Sequence, residues 1–384
     1  MTRLHDTLHR IADEAPAVDL ADRAVRGSRR RRRRRTALAA VAAVVVGGLV
    51  VGGGTGLLPF RQAHDTVASP VNPRSWEIES SPLPDRGVGP LAYAYLTSCP
   101  DRDAPPGCES GAWRVVTRDG ETYDVPQAMG LSDTGEIHGP VVITPDGRAM
   151  AYYSRQDETL KVRDLESGKE LSAPIRIEQS RLAGEVFLRL SDDGRHLAIT
   201  VFGAEKPLAV SLDMRNGRTT DLPSGWMPVS VANDGGPVTV VKWTDTSSTV
   251  RLISPRGDDS AYVIPEYGQE FSALSPDGRT IVKIGMTPSD DLPIRADGTL
   301  GVYDIAEKAW SKVEIRGLPE DGVVMRLGHW LDGTTVTART VVSSDGHRRD
   351  NDTTTVYAVN VTTGQARLLH TYPFPNAMVP GMVQ

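Results

Sequence analysis

For most of its length the chain alternates apolar and polar residues in short runs, the two-residue period of half-buried β-strands; its N-terminal end breaks the pattern. The alternation shows at Val141/Ile143, Leu188/Leu190 and Val229/Val231, and β-rich runs follow at 197–201 and 281–284. Between the runs stands a recurring turn: Thr144-Pro145-Asp146-Gly147, Ser191-Asp192-Asp193-Gly194, Ala232-Asn233-Asp234-Gly235, Ser275-Pro276-Asp277-Gly278 and Trp330-Leu331-Asp332-Gly333. Leu83-Pro84-Asp85-Arg86-Gly87 is a degenerate copy. Glycine accepts the positive φ of a tight turn, and the aspartate side chain can bond the turn's own N–H groups.

Successive aspartates stand 61, 47, 41, 43 and 55 residues apart. Repeats of about 40 to 50 residues with strand-like flanks predict a propeller rather than a helical solenoid. A third strand and second turn recur at 160–168, 208–217, 250–257, 300–308 and 355–364, which completes four strands per unit. Six units between residues 74 and 372 predict an all-β, six-bladed β-propeller, whose closure removes the exposed sheet edges. The degenerate first and sixth turns leave a seven-bladed ring as the alternative.

The Ser/Thr-Pro-Asp-Gly-Arg turns, each followed by an apolar strand, resemble those of the TolB-like, or WD-repeat-like, six-bladed propellers. Single-spanning actinobacterial envelope proteins with such a domain behind an Arg-rich leader look similar. The resemblance implies a fold and a membrane-anchored envelope protein; the motif itself is structural and occurs in proteins of many functions.

The N-terminal region reads differently. Leu4, Leu8 and Ile11 lie at helical spacing, Pro16 interrupts them, and Leu20, Ala24 and Val25 follow. This stretch is too short for a core of its own, and is either an unstructured tail or a docking element for a cytoplasmic partner or the inner leaflet. Residues 36–58 carry no charge and at helical rise would span about 34 Å, enough to cross a bilayer. The seven consecutive arginines from Arg29 to Arg35 place the N-terminus in the cytoplasm and the rest of the chain outside. A cleaved signal peptide ending near Thr66-Val67-Ala68 is the rival reading, and the length of the apolar run argues against it. The predicted organisation is a cytoplasmic tail at 1–35, a transmembrane helix at 36–58, a Pro-containing linker at 59–73, the propeller at 74–372 and a C-terminal tail at 373–384.

Charge sharpens this division. The net −6 hides 11 Arg against 5 acidic residues in 1–35, so the remainder carries −12. An acidic exported part argues against a nucleic-acid partner.

The spacing between the two turns of a unit is 22, 24 and 23 residues in units two to four, but 35, 31 and 32 in units one, five and six. The extra residues fall at 98–111, 286–298 and 343–353, between second and third strands. In an antiparallel meander those loops share a face with the inter-blade connections, and units five, six and one are neighbours on a closed ring. Insertions clustered on one face of a rigid scaffold mark a candidate binding surface.

The first loop holds Cys99 and Cys108, expected to form a local disulfide in an oxidising compartment and to contribute roughly 2.5 kcal/mol by closing a loop of about 10 residues. The other two hold Asp290, Asp291, Arg295 and Asp297, then Asp345, His347, Arg348, Arg349, Asp350 and Asp352. Asp350-Asn351-Asp352 alternates acidic oxygens as calcium loops do, but matches no EF-hand spacing and adjoins an Arg pair, so no metal is expected. Inter-blade connections on the same face add His138, Glu185, Trp226, Tyr267 and Glu270 around the channel mouth. An aromatic beside carboxylates suits saccharide or peptide recognition; blade packing is the plainer role.

No Gly-x-Ser-x-Gly elbow, His-Glu-x-x-His pair or phosphate loop is present, and no cofactor is expected. The sequence therefore reads as a non-catalytic, membrane-anchored binding or scaffold module for an envelope protein, peptide or glycan. A transmembrane sensor coupled to a cytoplasmic regulator is one alternative; a channel-mouth hydrolase or lyase using His138 or Glu185 is another.

Overall fold

The computed structural model describes residues 74–383 apart from 76, 100–105, 107, 132–137, 204–206, 288–294, 320–321 and 343–352. The chain divides into two units, Met1–Val67 and Ala68–Gln384, and all described residues belong to the second. The expected tail, anchor helix and linker at 1–73 thus lie outside the described residues. Among the described residues no helix is long and apolar enough to cross a membrane.

The strands form six sheets in chain order. Blade 1 holds β1 (Ser81–Pro82), β2 (Leu91–Leu96), β3 (Trp113–Thr117) and β4 (Thr122–Asp124). Blade 2 holds β5 (Val141–Ile143), β6 (Ala149–Ser154), β7 (Thr159–Asp164) and β8 (Glu170–Ser172). Blade 3 holds β9 (Glu185–Leu190), β10 (His196–Phe202), β11 (Leu208–Asp213) and β12 (Thr219–Asp221). Blade 4 holds β13 (Met227–Val231), β14 (Val238–Trp243), β15 (Ser248–Ile253) and β16 (Ser260–Ile264). Blade 5 holds β17 (Thr280–Thr287), β18 (Arg295–Asp304) and β19 (Ala309–Glu314). Blade 6 holds β20 (Gly322–Trp330), β21 (Thr335–Val342), β22 (Thr354–Asn360) and β23 (Ala366–Tyr372).

Blades 2, 3, 4 and 6 are antiparallel meanders of four strands. Blade 5 gains its inner strand from an irregular segment: the N–H of Ser272 bonds the Val282 carbonyl at 2.8 Å and that of Ile284 bonds the Glu270 carbonyl at 3.0 Å. Six sheets make a six-bladed β-propeller and set the seven-bladed alternative aside. Apolar side chains pack between adjacent blades, as where Leu160 and Val162 of blade 2 meet Leu188 and Ile199 of blade 3.

The Asp-Gly turns join first and second strands, and their chemistry is the expected one. Asp146 Oδ1 accepts bonds from the Thr144 hydroxyl at 2.7 Å and the Arg148 N–H at 3.0 Å, and Gly147 sits at φ 75°. Asp193 and Asp277 repeat the arrangement with Ser191 and Ser275.

Blade 1 departs from this plan. The N–H of Leu91, at the start of β2, bonds the Gly147 carbonyl in the blade 2 turn at 2.9 Å, so β2 runs away from the Asp-Gly face, as second strands do. Its inner neighbour is Met378, which exchanges both backbone bonds with Ala94, at 2.9 and 2.7 Å. Residues 373–384, expected as a tail beyond the ring, therefore include the segment that closes it, through a β-bridge at Met378. The burial of Ala377, Val379 and Val383 supplies the reason. The segment also reaches blade 2 through Gly381 N–H to Ile143 O (2.9 Å) and blade 6 through Val383 N–H to Leu327 O (3.1 Å). Phe374 stacks on Tyr95 with centroids 4.0 Å apart, sealing the junction of blades 6 and 1.

The expected loop at 286–298 needs correction. β17 and β18 continue pairing through Met286↔Ala296 and Thr287↔Arg295, so both ends of that stretch are strand.

Candidate functional site at the channel mouth

The meander places the inter-blade connections and the second-to-third-strand loops on the face opposite the Asp-Gly turns. There the central channel opens into a cavity of about 310 Å³, floored by the closing segment through Met378, Met382 and Val383. His138 and Glu185 line this cavity, as the sequence suggested, together with Arg326 and Arg339, which it did not. Glu270 sits beside them, half-buried, and forms an ion pair with Arg326 at 3.0 Å.

The remaining candidates separate. Trp226 packs against the apolar cluster of Ala198, Leu222 and Val231 between blades 3 and 4, the plainer of its two roles. Tyr267 contributes its carbonyl to Lys283 Nζ at 2.7 Å. Arg295 opens β18. Asp290, Asp291, His347, Arg348, Arg349 and Asp350 lie outside the described residues. Cys99 and Cys108 are joined in a disulfide. Among the described residues no group of three His, Cys, Asp or Glu side chains is placed to hold a metal ion.

Three arginines give the channel its electrostatics. Arg189 points inward from β9 and is only 4% exposed. Burial, with Arg326 nearby, lowers its pKa to about 9, while the Glu270 carboxylate opposes the shift, so it remains cationic at neutral pH. Burial likewise raises Glu270, and the guanidiniums of Arg326 and Arg189 pull it back. Arg339, from β21, donates to the Pro375 carbonyl at 3.0 Å and so ties the closing segment to blade 6. A signal for two of them was present in the sequence: Arg189 and Arg326 each follow a run of three apolar residues within a strand, in EVFLRL and GVVMRLGHW, whereas Arg339 stands among threonines in TVTARTVV. A charge in a strand buried on both faces needs a counter-charge or a polar channel.

Deeper in the channel a second cavity of about 50 Å³ touches Arg189, Asp192, His329 and Met382. His329 Nδ1 lies 3.3 Å from the Thr337 hydroxyl, and burial lowers its pKa to about 4. Lys283, another deeply buried cation, is no candidate for chemistry. It is 1% exposed, paired with Glu266 at 3.2 Å and covered by the Trp310 ring at 5.2 Å.

The strand pairing defines the described part of the chain as a six-bladed propeller, closed by an extended segment that bridges Ala94 through Met378. No protein-family description matches the chain, and neither does any protein of curated function. Solved structures with a similar course include a putative TolB from Agrobacterium tumefaciens, 14% identical with a TM-score of 0.42 over 67% of this chain and 84% of that one. TolB from Acinetobacter baumannii is 18% identical with a TM-score of 0.40 over 77% of this chain, which spans 66% of that protein. An oligogalacturonate lyase in complex with manganese is 12% identical, with a TM-score of 0.40 over 74% of each chain. TolB proteins thus stand among its structural neighbours, and the likeness is one of architecture.

Proposed function

We propose that this protein is a non-catalytic binding module of the cell envelope, anchored through residues 36–58 with its N-terminus in the cytoplasm and its propeller outside, and that it captures an envelope protein, peptide or glycan at the channel mouth. The observation that carries this reading is the convergence of His138, Glu185, Arg326 and Arg339 from separate segments on one cavity. A concave site with a few placed polar groups on a rigid scaffold is the usual form of a binding site. The ionisable group beside the mouth supports binding over turnover, because Glu270 is already held by Arg326.

A photo-crosslinking residue at position 138, in intact cells, is expected to trap a partner, whereas the same residue at position 234, on the Asp-Gly face, is expected to trap none. Equal trapping at both positions, or none at 138, overturns the reading. Protease added to intact cells should cut the propeller loops and spare the N-terminal 35 residues; the reverse pattern refutes the orientation.

A further inference from the structure

The outer rim of the ring carries an interaction surface separate from the mouth. The last strand of each blade is a sheet edge, with the backbone N–H and C=O groups of alternate residues turned away from its partner strand. Among the described residues five of the six edges are covered or guarded. In blade 1, β1 lies along the outer side of β4, Ser81 against Tyr123 and Pro82 against Asp124. β8 and β12 are three residues long and carry Glu170 and Asp221. β19 carries Lys312 and Glu314, and β23 carries Arg367 and His370 beside a register shift between Val356 and Tyr357.

The edge of blade 4 has none of these devices. β16 reads Ser-Ala-Tyr-Val-Ile, without a charge, and pairs with β15 in unbroken register from Ser248↔Ile264 to Leu252↔Ser260. Among the described residues no strand lies on its other side, and the backbone of residues 260–263 makes no bond beyond the β15 ladder. Val263 is 62% exposed, the most of any large apolar residue described, and Ala261 on the same face is exposed as well. On the opposite face Tyr262 is half-buried, its ring 6.4 Å from that of Tyr303 in blade 5. A flat, uncharged edge of this length is a template for a further strand, and β1 shows that an outer edge of this ring accepts one.

The size of the contact decides what sits there. The rim of a closed ring is convex, so two copies joined through β16 would meet over five residues each and little else. That falls well short of the roughly 1,000 Å² that a stable protein pair buries. A separate extended segment needs no wider contact, because it gains main-chain bonds along its whole length.

We infer that the outer edge of blade 4 is a strand-addition site for an uncharged, β-branched segment of a partner protein, whose alternate side chains cover Val263 and Ala261 on one face and lie beside Tyr262 on the other. Main-chain bonds supply the affinity and the two faces supply the selection.

The test uses the full-length protein in detergent micelles and a fluorescein-labelled peptide amide, Gly-Thr-Val-Thr-Val-Thr-Val-Gly, read by fluorescence anisotropy. The unaltered protein should bind it. V263K, which gives this edge the kind of charge that guards the others, should lose at least about tenfold in affinity, the scale of leaving one valine unburied. Because Val263 is exposed, V263K should keep the original melting curve, and V263I should keep the binding. Only one side of an added strand pairs with β16. N-methylation of the three valines or of the three threonines should therefore cost at least about tenfold in one case and no more than about threefold in the other. No binding by the unaltered protein, insensitivity to V263K, or equal effects of the two methylated sets overturns the inference. A mass that doubles with concentration in light scattering, and returns to that of one copy in V263K, assigns the edge to a second copy and overturns it too. Crosslinking at position 138 reports on the mouth alone, so the two proposals stand or fall separately.

Discussion

Blade 3 and blade 1 solve the same problem with opposite economies of chain. Blade 3 draws all four strands from residues 185–221, with unbroken registers Leu197↔Leu190 through Phe202↔Glu185 and His196↔Asp213 through Val201↔Leu208. Arg195 locks its two turns together through Asp213 at 2.6 Å. Blade 1 takes its outer edge from the parallel pair Ser81↔Tyr123 and Pro82↔Asp124 and its inner strand from Met378, 284 residues beyond Ala94. Blade 3 is a local structure that neighbours reinforce. Blade 1 is complete only when the ends of the propeller meet, so its stability belongs to the ring.

The sharpest way to break this comparison is to remove residues 377–384. The truncation exposes the inner edge of β2 and gives up the burial of Ala377, Val379 and Val383, a loss on the order of 5 kcal/mol at about 1.5–3 kcal/mol per aliphatic side chain. For a domain of this size that should lower Tm by roughly 8 °C. Amide exchange gives the local readout: the Ala94 N–H should lose its protection, while the β10 amides of blade 3 keep theirs. Equal loss in both blades would mean that the sheets melt as one unit and that locality is irrelevant.

The same contrast explains what could be read in advance. The blade count, the Asp-Gly turns and the meander were legible because each is encoded within about 40 to 50 residues, where period and turn chemistry reinforce one another. The position of His138 and Glu185 on the cavity was legible because the meander assigns inter-blade connections to one face. The closing strand was not legible, since residues 377–383 hold a proline and a glycine and show no strand alternation. Their partner is chosen by ring geometry and not by local pattern. Arg326 and Arg339 were missed for a related reason: in sequence they are only charges within strands, and their meaning depends on which face of the blade opens on the channel. Trp226 shows the reverse, an aromatic in a connecting segment that packs into the wall between blades.

Acid separates the two blades by pH window, with a smaller effect. His329 is held neutral beside the closing segment, its pKa lowered by burial to about 4 against about 6.5 when unfolded. The unfolded chain then binds the proton first, so this group's contribution is complete above the unfolded value and erodes as pH falls toward 4, by about 3 kcal/mol. Asp213 in blade 3 is shifted well below the ordinary carboxylate range by its bond to Arg195, so its contribution is full above the unfolded value near 3.9 and fades only below it. Between pH 6.5 and 4, exchange protection should therefore fall at Ala94 before it falls in β10. His329→Gln should flatten the first loss and leave the second. Simultaneous loss at both sites, or an unchanged pH profile in the variant, would count against this assignment.

The smallest effect concerns a turn that blade 5 builds differently from blade 3. Where blade 3 has Gly217 at φ 74°, blade 5 has Lys308 at φ 52°, with Asp304 bonding the N–H groups of Ala306 and Glu307 to hold the turn. A left-handed conformation costs a residue with a Cβ about 1 kcal/mol or somewhat more. Lys308→Gly removes that cost but adds conformational freedom to the unfolded chain, worth roughly 0.5–1 kcal/mol in the opposite direction. The net expectation is a gain of about 0.5 kcal/mol or less, a rise in Tm of about one degree at most. The reciprocal change, Gly217→Ala, meets no steric obstacle, because the added Cβ lies 3.5 Å from Pro174 Cβ, an ordinary contact. Its cost of about 1 kcal/mol should therefore be conformational alone. If Lys308→Gly destabilises, the lysine side chain is making a compensating contact and the two turns are not equivalent; if Gly217→Ala is neutral, the left-handed position in blade 3 is softer than its geometry implies.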